Sequence, residues 1–142
     1  MDLLTAATDN ITEVLLKILK FTQNRQKILI QNINSMRTAC FEPKDLPVKE
    51  FAGLMILAIS EHTNSGRLLL CDGQNVKFGA GGRFETTPIV DEQAKSLLAE
   101  NRDEYLRRQI AKLLENSLNQ RIATQLLRQK RSDELCPARR LN

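Results

Sequence analysis

His62 is the only histidine of the chain, and the thiols are Cys40, Cys71 and Cys136. A Cys–His nucleophile pair would therefore have to use His62, and no local signature for such a pair surrounds it. His62 sits in a Thr/Asn/Ser/Gly stretch and reads as a loop histidine. The three cysteines have neither zinc nor redox spacing, and their odd number argues against a disulfide framework. Cys40 and Cys71 read as small core residues, and Cys136, beside Pro137, as an exposed free thiol. Asp91 and Glu92 have the right groups for acid–base chemistry, but adjacent residues on a helix do not face one another. Their simpler role is to favour the start of a helix. Gly79-Ala80-Gly81-Gly82 would need a following Lys-Ser/Thr pair and a strand-to-helix context to cradle phosphate, and it has neither. These residues lead to no catalytic site, metal, cofactor or small-molecule substrate; the expectation is a protein that is not an enzyme.

Any chemistry must then lie in surfaces, and glycine placement shows how they are arranged. All six glycines lie between Gly53 and Gly82. A glycine inside a helix costs about 1 kcal/mol relative to alanine, so glycine-free, apolar-periodic flanks read as two long terminal helices. The expected fold is mainly α, with the two helices packed as an antiparallel hairpin around an irregular middle segment. We expect one rod-type domain over residues 1–142. It divides into a flexible N-terminus (1–8), an N-terminal helix (9–39), an irregular middle (40–88), a C-terminal helical region (89–132) and a polar tail (133–142).

In the first helix, Leu15, Leu19, Thr22, Gln26, Leu29, Ile33 and Met36 alternate steps of four and three, a heptad seam of the coiled-coil kind. Thirty residues at about 1.5 Å each make a rod of about 45 Å that needs a partner along its length. Pro43 and Pro47 then interrupt the helix, and a short helix is expected from Pro47 to Ser60. Leu68–Cys71 and Val76–Phe78 flank Asp72-Gly73 and predict a small β-hairpin. In the last third, Leu106, Ile110, Leu114, Leu118, Ile122 and Leu126 recur every four residues, with Leu113 and Leu127 widening the stripe. Each step advances the line by about 40°, so the set sweeps about 200° around the helix. One straight neighbour cannot cover it, and several are expected, including further copies of the chain.

Charge is uneven: +1 over residues 1–50, −2 over 51–101 and +5 over 102–142. A basic last third is compatible with nucleic acid, but Asp103, Glu104, Glu115, Asp133 and Glu134 interleave with the bases, which favours a solvated helix face. No run approaches the ~18 apolar residues of a membrane span. Asp2 and Asp9 occupy the region where a secretory leader would be basic, so no cleaved signal is expected.

Two segments resemble the proximal rod proteins of the bacterial flagellar basal body, within the rod-and-hook family. Those proteins carry Asn-Ile-Ala-Asn, two variable residues, Thr-Pro-Gly-Tyr/Phe and then an Asp. Here Asn32, Ile33, Thr38, Phe41 and Asp45 fall in step, while Ser35, Ala39 and Cys40 stand for the family's Asn, Pro and Gly. The family's C-terminal helix is similar to Leu106, Ile110, Leu113, Asn116, Leu118 and Gln125-Leu126-Leu127. Asp103-Glu104-Tyr105 replaces its Asn-Val-Asp entry.

The resemblance, which covers both terminal helices, implies a divergent structural subunit of the rod at the base of the motor axle. Such a subunit would assemble through its terminal helices into a helical tube. It would leave the cytoplasm through the type III export channel without a cleaved signal and function in the periplasmic rod. Its partners would be other rod subunits, export-gate and membrane-ring components, and copies of itself. The alternative is a basic helical nucleic-acid-binding or adaptor protein, although nucleic acid is not the expected partner.

Overall fold

The computed structural model describes the backbone of residues 3–135 and, Gly81 apart, the side chains of residues 10–133. Two long helices dominate, α1 (Leu3–Asn34) and α4 (Arg102–Leu135). Between them lie β1 (Lys44–Asp45), α2 (Val48–Ser65), β2 (Val76–Phe78), β3 (Phe84–Thr86), β4 (Ile89–Val90) and α3 (Glu92–Glu100). Thr22 meets Asn116 while Asn32 meets Tyr105 and Gln109, so α1 and α4 run antiparallel. The fold is mainly α, with its N- and C-terminal helices paired as a hairpin.

Several boundaries differ from those expected. Helix α1 is already formed at Leu3, within the segment assigned as a flexible 1–8 terminus, because Leu3, Leu4, Ala6 and Ala7 are good helix formers with no breaker among them. It stops at Asn34 rather than at residue 39, so Met36, the last member of the seam, lies beyond the helix. Ser35 and Thr38 begin successive turns there, and Cys40 adopts a left-handed backbone with φ of 58°. Helix α2 runs on to Ser65 instead of Ser60 and is closed by Gly66 at φ of 73°, whose N–H reaches the His62 carbonyl.

The hairpin is displaced by one loop. Val76–Phe78 pairs antiparallel with Phe84–Thr86, not with Leu68–Cys71, and the glycine run forms its turn, with Gly82 at φ of 80°. Carboxylates hold the expected turn as a loop instead: Asp72 accepts the Phe78 N–H and Glu50 accepts the Asn75 N–H. Residues 89–132 are not one helical region. Ile89–Val90 pairs with Lys44–Asp45, and Asn101 then divides two helices. Its N–H bonds to Leu97 at the end of α3, and its side chain accepts the Glu104 N–H at the start of α4. Helix α4 continues to Leu135, into the stretch assigned as a polar tail; residues 136–142, with the Cys136 thiol expected to be exposed, lie outside the described residues.

The core sits where α1, α2 and the β2–β3 hairpin meet. Val14, Phe21, Leu46, Phe51, Met55, Ala58 and Val76 are buried there. Phe21 and Phe51 stack with centroids 4.1 Å apart, and Phe84 tilts against Phe51 at 5.8 Å. The few aromatic residues are therefore concentrated in one small core and are largely absent from the long helix–helix interface. Neither Cys40, which is exposed, nor Cys71, which is half-buried, is a core residue as expected. His62 is in the last turn of α2 rather than in a loop, 3.3 Å from the Asn10 amide.

Candidate functional site

On α1, the heptad positions Leu15, Thr22 and Leu29 are buried, while Leu19 and Ile33 are half-buried. The surface of α4 that meets them is not the apolar stripe. Among the described side chains of α4, Tyr105, Gln109, Asn116 and Ala123 are the buried ones, each at most 2% exposed. Their steps of four, seven and seven keep to the period that stays on one face. Asn116 donates to the Thr22 carbonyl at 2.7 Å, and the Tyr105 hydroxyl donates to the Asn32 carbonyl at 2.8 Å.

Helix α1 therefore does not pack on the Leu106–Leu127 stripe, against the antiparallel pairing of the two apolar sets that periodicity predicts. Because the stripe rotates by about 40° per step, it leaves the α1-facing side. Ile110, Leu114, Leu118, Ile122 and Leu126 form an exposed outer row, with Leu114 66% and Leu118 57% accessible. Leu106, Leu113 and Leu127 lie half-buried along the margin, and Gln125 is exposed. Towards its C-terminal end the row enters an apolar groove of about 360 Å³ between α1, α2 and α4. Ile122 and Leu126 line one wall and Ile56 and Ile59 of α2 the other, over a floor that includes Leu15 and Met55. Ile56, Leu57 and Ile59 are themselves exposed. The result is a continuous apolar surface along the helix pair, of the sort that marks an interaction site in a folded chain.

A polar corner fixes the end of α1 to the rest. Asn32 is buried; its side chain accepts the Lys44 N–H at 3.1 Å and donates to the Lys44 carbonyl at 2.7 Å and to Gln109 Oε1 at 2.9 Å. Asp45 takes a two-pronged hydrogen bond from Arg25 at 2.8 and 3.0 Å. Lys112 bridges Asp45 at 3.3 Å and Asp91 at 2.6 Å, so one α4 cation ties β1 to the cap of α3. Asp91 also accepts the Ala94 N–H at 3.0 Å. Its burial would raise the carboxyl's pKa, but the Lys112 hydrogen bond and charge, with the Ala94 and Gln93 N–H groups, outweigh burial and hold it below the ordinary value. Burial, with Asp91 nearby, pushes the Tyr105 hydroxyl up to about 12.

Of the motif residues, Asn32, Asp45 and Asn116 all form hydrogen bonds that join α1, β1 and α4. Ile33 and Phe41 are half-buried and Thr38 is exposed at the turn. Sequence reasoning missed Tyr105, Gln109, Arg25 and Lys112; the regular spacing of Tyr105, Gln109, Lys112 and Asn116 was the available signal. Among the described residues no group of three or more His, Cys, Asp or Glu is arranged to hold a metal. No described helix is long and apolar enough to cross a membrane. Comparison with protein-family models, with curated proteins and with solved structures finds no match.

Proposed function

We propose that this chain is a structural subunit of the bacterial flagellar basal-body rod, building part of a helical tube through its terminal helices. The observation that carries the reading is the exposed outer row, Ile110 to Leu126, on a helix whose inner face is already filled by α1. Leaving such a row in water forfeits about 25 cal/mol per Å² of apolar surface, and neighbouring subunits recover it. Other rod subunits, export-gate and membrane-ring components and further copies of the chain are the partners this reading assigns. The place of action is the periplasmic rod, reached by export without a cleaved signal.

The turn after α1 supports the kinship with proximal rod proteins. Where their motif has glycine, Cys40 stands at φ of 58°, the only non-glycine residue with positive φ among those described. A left-handed conformation there is what a glycine would supply at least cost. Asn32 and Asp45, both shared with the motif, brace the same turn.

Basal bodies purified from the encoding organism test the proposal. The wild-type protein should copurify with them, and deletion of its gene should abolish motility. Leu118→Asp should fold and be exported yet be missing from basal bodies, since a carboxylate in an apolar contact costs several kcal/mol. Normal motility without the gene, or absence of the protein from basal bodies, would refute the assignment. Binding to DNA that weakens steeply with salt would favour the nucleic-acid alternative.

A further inference from the structure

Gln109 is 1% exposed, and its Nε2 finds no acceptor among the described residues. Turning the amide over does not resolve this. The Lys44 backbone fixes the orientation of Asn32, because the Lys44 N–H requires Asn32 Oδ1 and the Lys44 carbonyl requires Nδ2. Asn32 Nδ2 therefore faces Gln109, and only the Gln109 oxygen can accept from it. Gln109 Nε2, with two protons to donate, has to be satisfied elsewhere. Buried and unpaired, it would be a standing penalty of a kind native structures rarely keep.

Gln109 also lines a cavity of about 20 Å³ between α3 and α4, whose other lining residues include Asp91, Ala94, Tyr105, Arg108 and Lys112. About 10–15 Å³ of such space suffices for one water, and nothing organic fits. The lining also selects by charge. The Lys112 ammonium, the Arg108 guanidinium and the Gln109 N–H groups oppose a cation, while Lys112 and Arg108 are already paired with Asp45, Asp91 and Glu104 and the Asp91 carboxylate opposes an anion. What remains is a small neutral molecule that both accepts and donates.

We infer that this cavity is a binding site for a single ordered water, which accepts from Gln109 Nε2 and donates to the Asp91 carboxylate. A carboxylate has about four acceptor positions, so Asp91 retains capacity beyond its bonds to Ala94 and Lys112. The water closes a chain of hydrogen bonds from the cap of α3, through Gln109 and Asn32, to β1.

A crystal structure of the full chain, at a resolution that shows ordered solvent, tests this. The expected result is a well-ordered peak within about 3 Å of Gln109 Nε2. In solution, the Gln109 side-chain N–H protons should show a cross-relaxation signal to a slowly exchanging water. A dry cavity in a clear map, rotation of Nε2 onto a protein acceptor, or a bromide signal at the position after soaking would each overturn the inference.

Discussion

The Tyr105 hydroxyl reaches from α4 to the Asn32 carbonyl on α1, 2.8 Å away and wholly buried. Helix α1 ends at Asn34, so this carbonyl is one of the last four, which lack an N–H from their own helix. A phenol on one helix thus caps the end of the other. Tyr105→Phe keeps the ring and removes the cap, and it should lower stability by about 1–3 kcal/mol. Denaturant unfolding followed by circular dichroism measures this; an unchanged midpoint would mean that water serves the carbonyl instead.

Tyr105 is the only tyrosine, so its ionisation can be followed directly by ultraviolet absorbance. Its midpoint should lie at about 12 in the folded protein. The unfolded chain releases the phenolic proton near the ordinary value of about 10. Folding stability should therefore fall as pH rises from about 10 to about 12, because the folded state holds the proton longer. An ordinary midpoint, measured while the helix signal persists, would contradict the burial of the hydroxyl.

Asp91→Asn retains a side-chain acceptor for the Ala94 N–H but removes the charge that faces Lys112. At neutral pH it should cost about 1–3 kcal/mol. The wild-type carboxyl titrates below its ordinary value when folded, so its contribution is present above the unfolded value of about 3.9 and is lost as pH falls through the folded one. The gap between wild type and variant should close on acidification. A gap independent of pH would show that the cap, and not the ion pair, is what the substitution weakens.

Cys40→Gly should stabilise the protein by up to about 1 kcal/mol. A left-handed conformation costs a non-glycine residue roughly 1–2 kcal/mol, and the greater freedom of glycine in the unfolded chain offsets part of the gain. Cys40 is exposed, so little packing is lost. A lower melting temperature in the variant would show that the side chain is held by contacts at the turn.

Leu29→Ala and Leu114→Ala delete the same atoms from opposite situations. Leu29 is fully buried, whereas Leu114 is 66% exposed. The first should cost about 2–5 kcal/mol and the second no more than about 0.5 kcal/mol in the isolated chain. Equal losses would mean that the outer row is covered within the monomer.

Helical periodicity made the long helices and their pairing legible, because all the glycines lie in the middle and no proline falls within either long helix. The inward face of α1 was legible too, since Leu15, Leu19 and Leu29 keep a heptad step. The inward face of α4 was not, because hydrophobicity marks the wrong side of that helix. Gln109 and Asn116 are buried by hydrogen bonding, which no hydropathy pattern records, while Leu114 and Leu118 face outward. The hairpin was misplaced for a related reason. Asp72-Gly73 is a plausible turn locally, but Glu50, more than twenty positions away, claims the loop beside it. Asn101 ends one helix through its backbone N–H and begins the next through its side chain, within a stretch whose apolar residues gave no sign of a break.

A seam of amides and a phenol also limits how α1 and α4 can slide. A seam of leucines offers nearly the same packing after a shift of seven residues. Here such a shift would carry Asn116 away from Thr22, Gln109 away from Asn32 and Tyr105 away from the end of α1. Each buried group left unpaired would cost about 1–3 kcal/mol, so the helices have one axial alignment. The outer row of α4 is thereby held at a set height relative to the ends of α1, and in the proposed rod it would give a neighbouring subunit a ruler whose zero cannot drift.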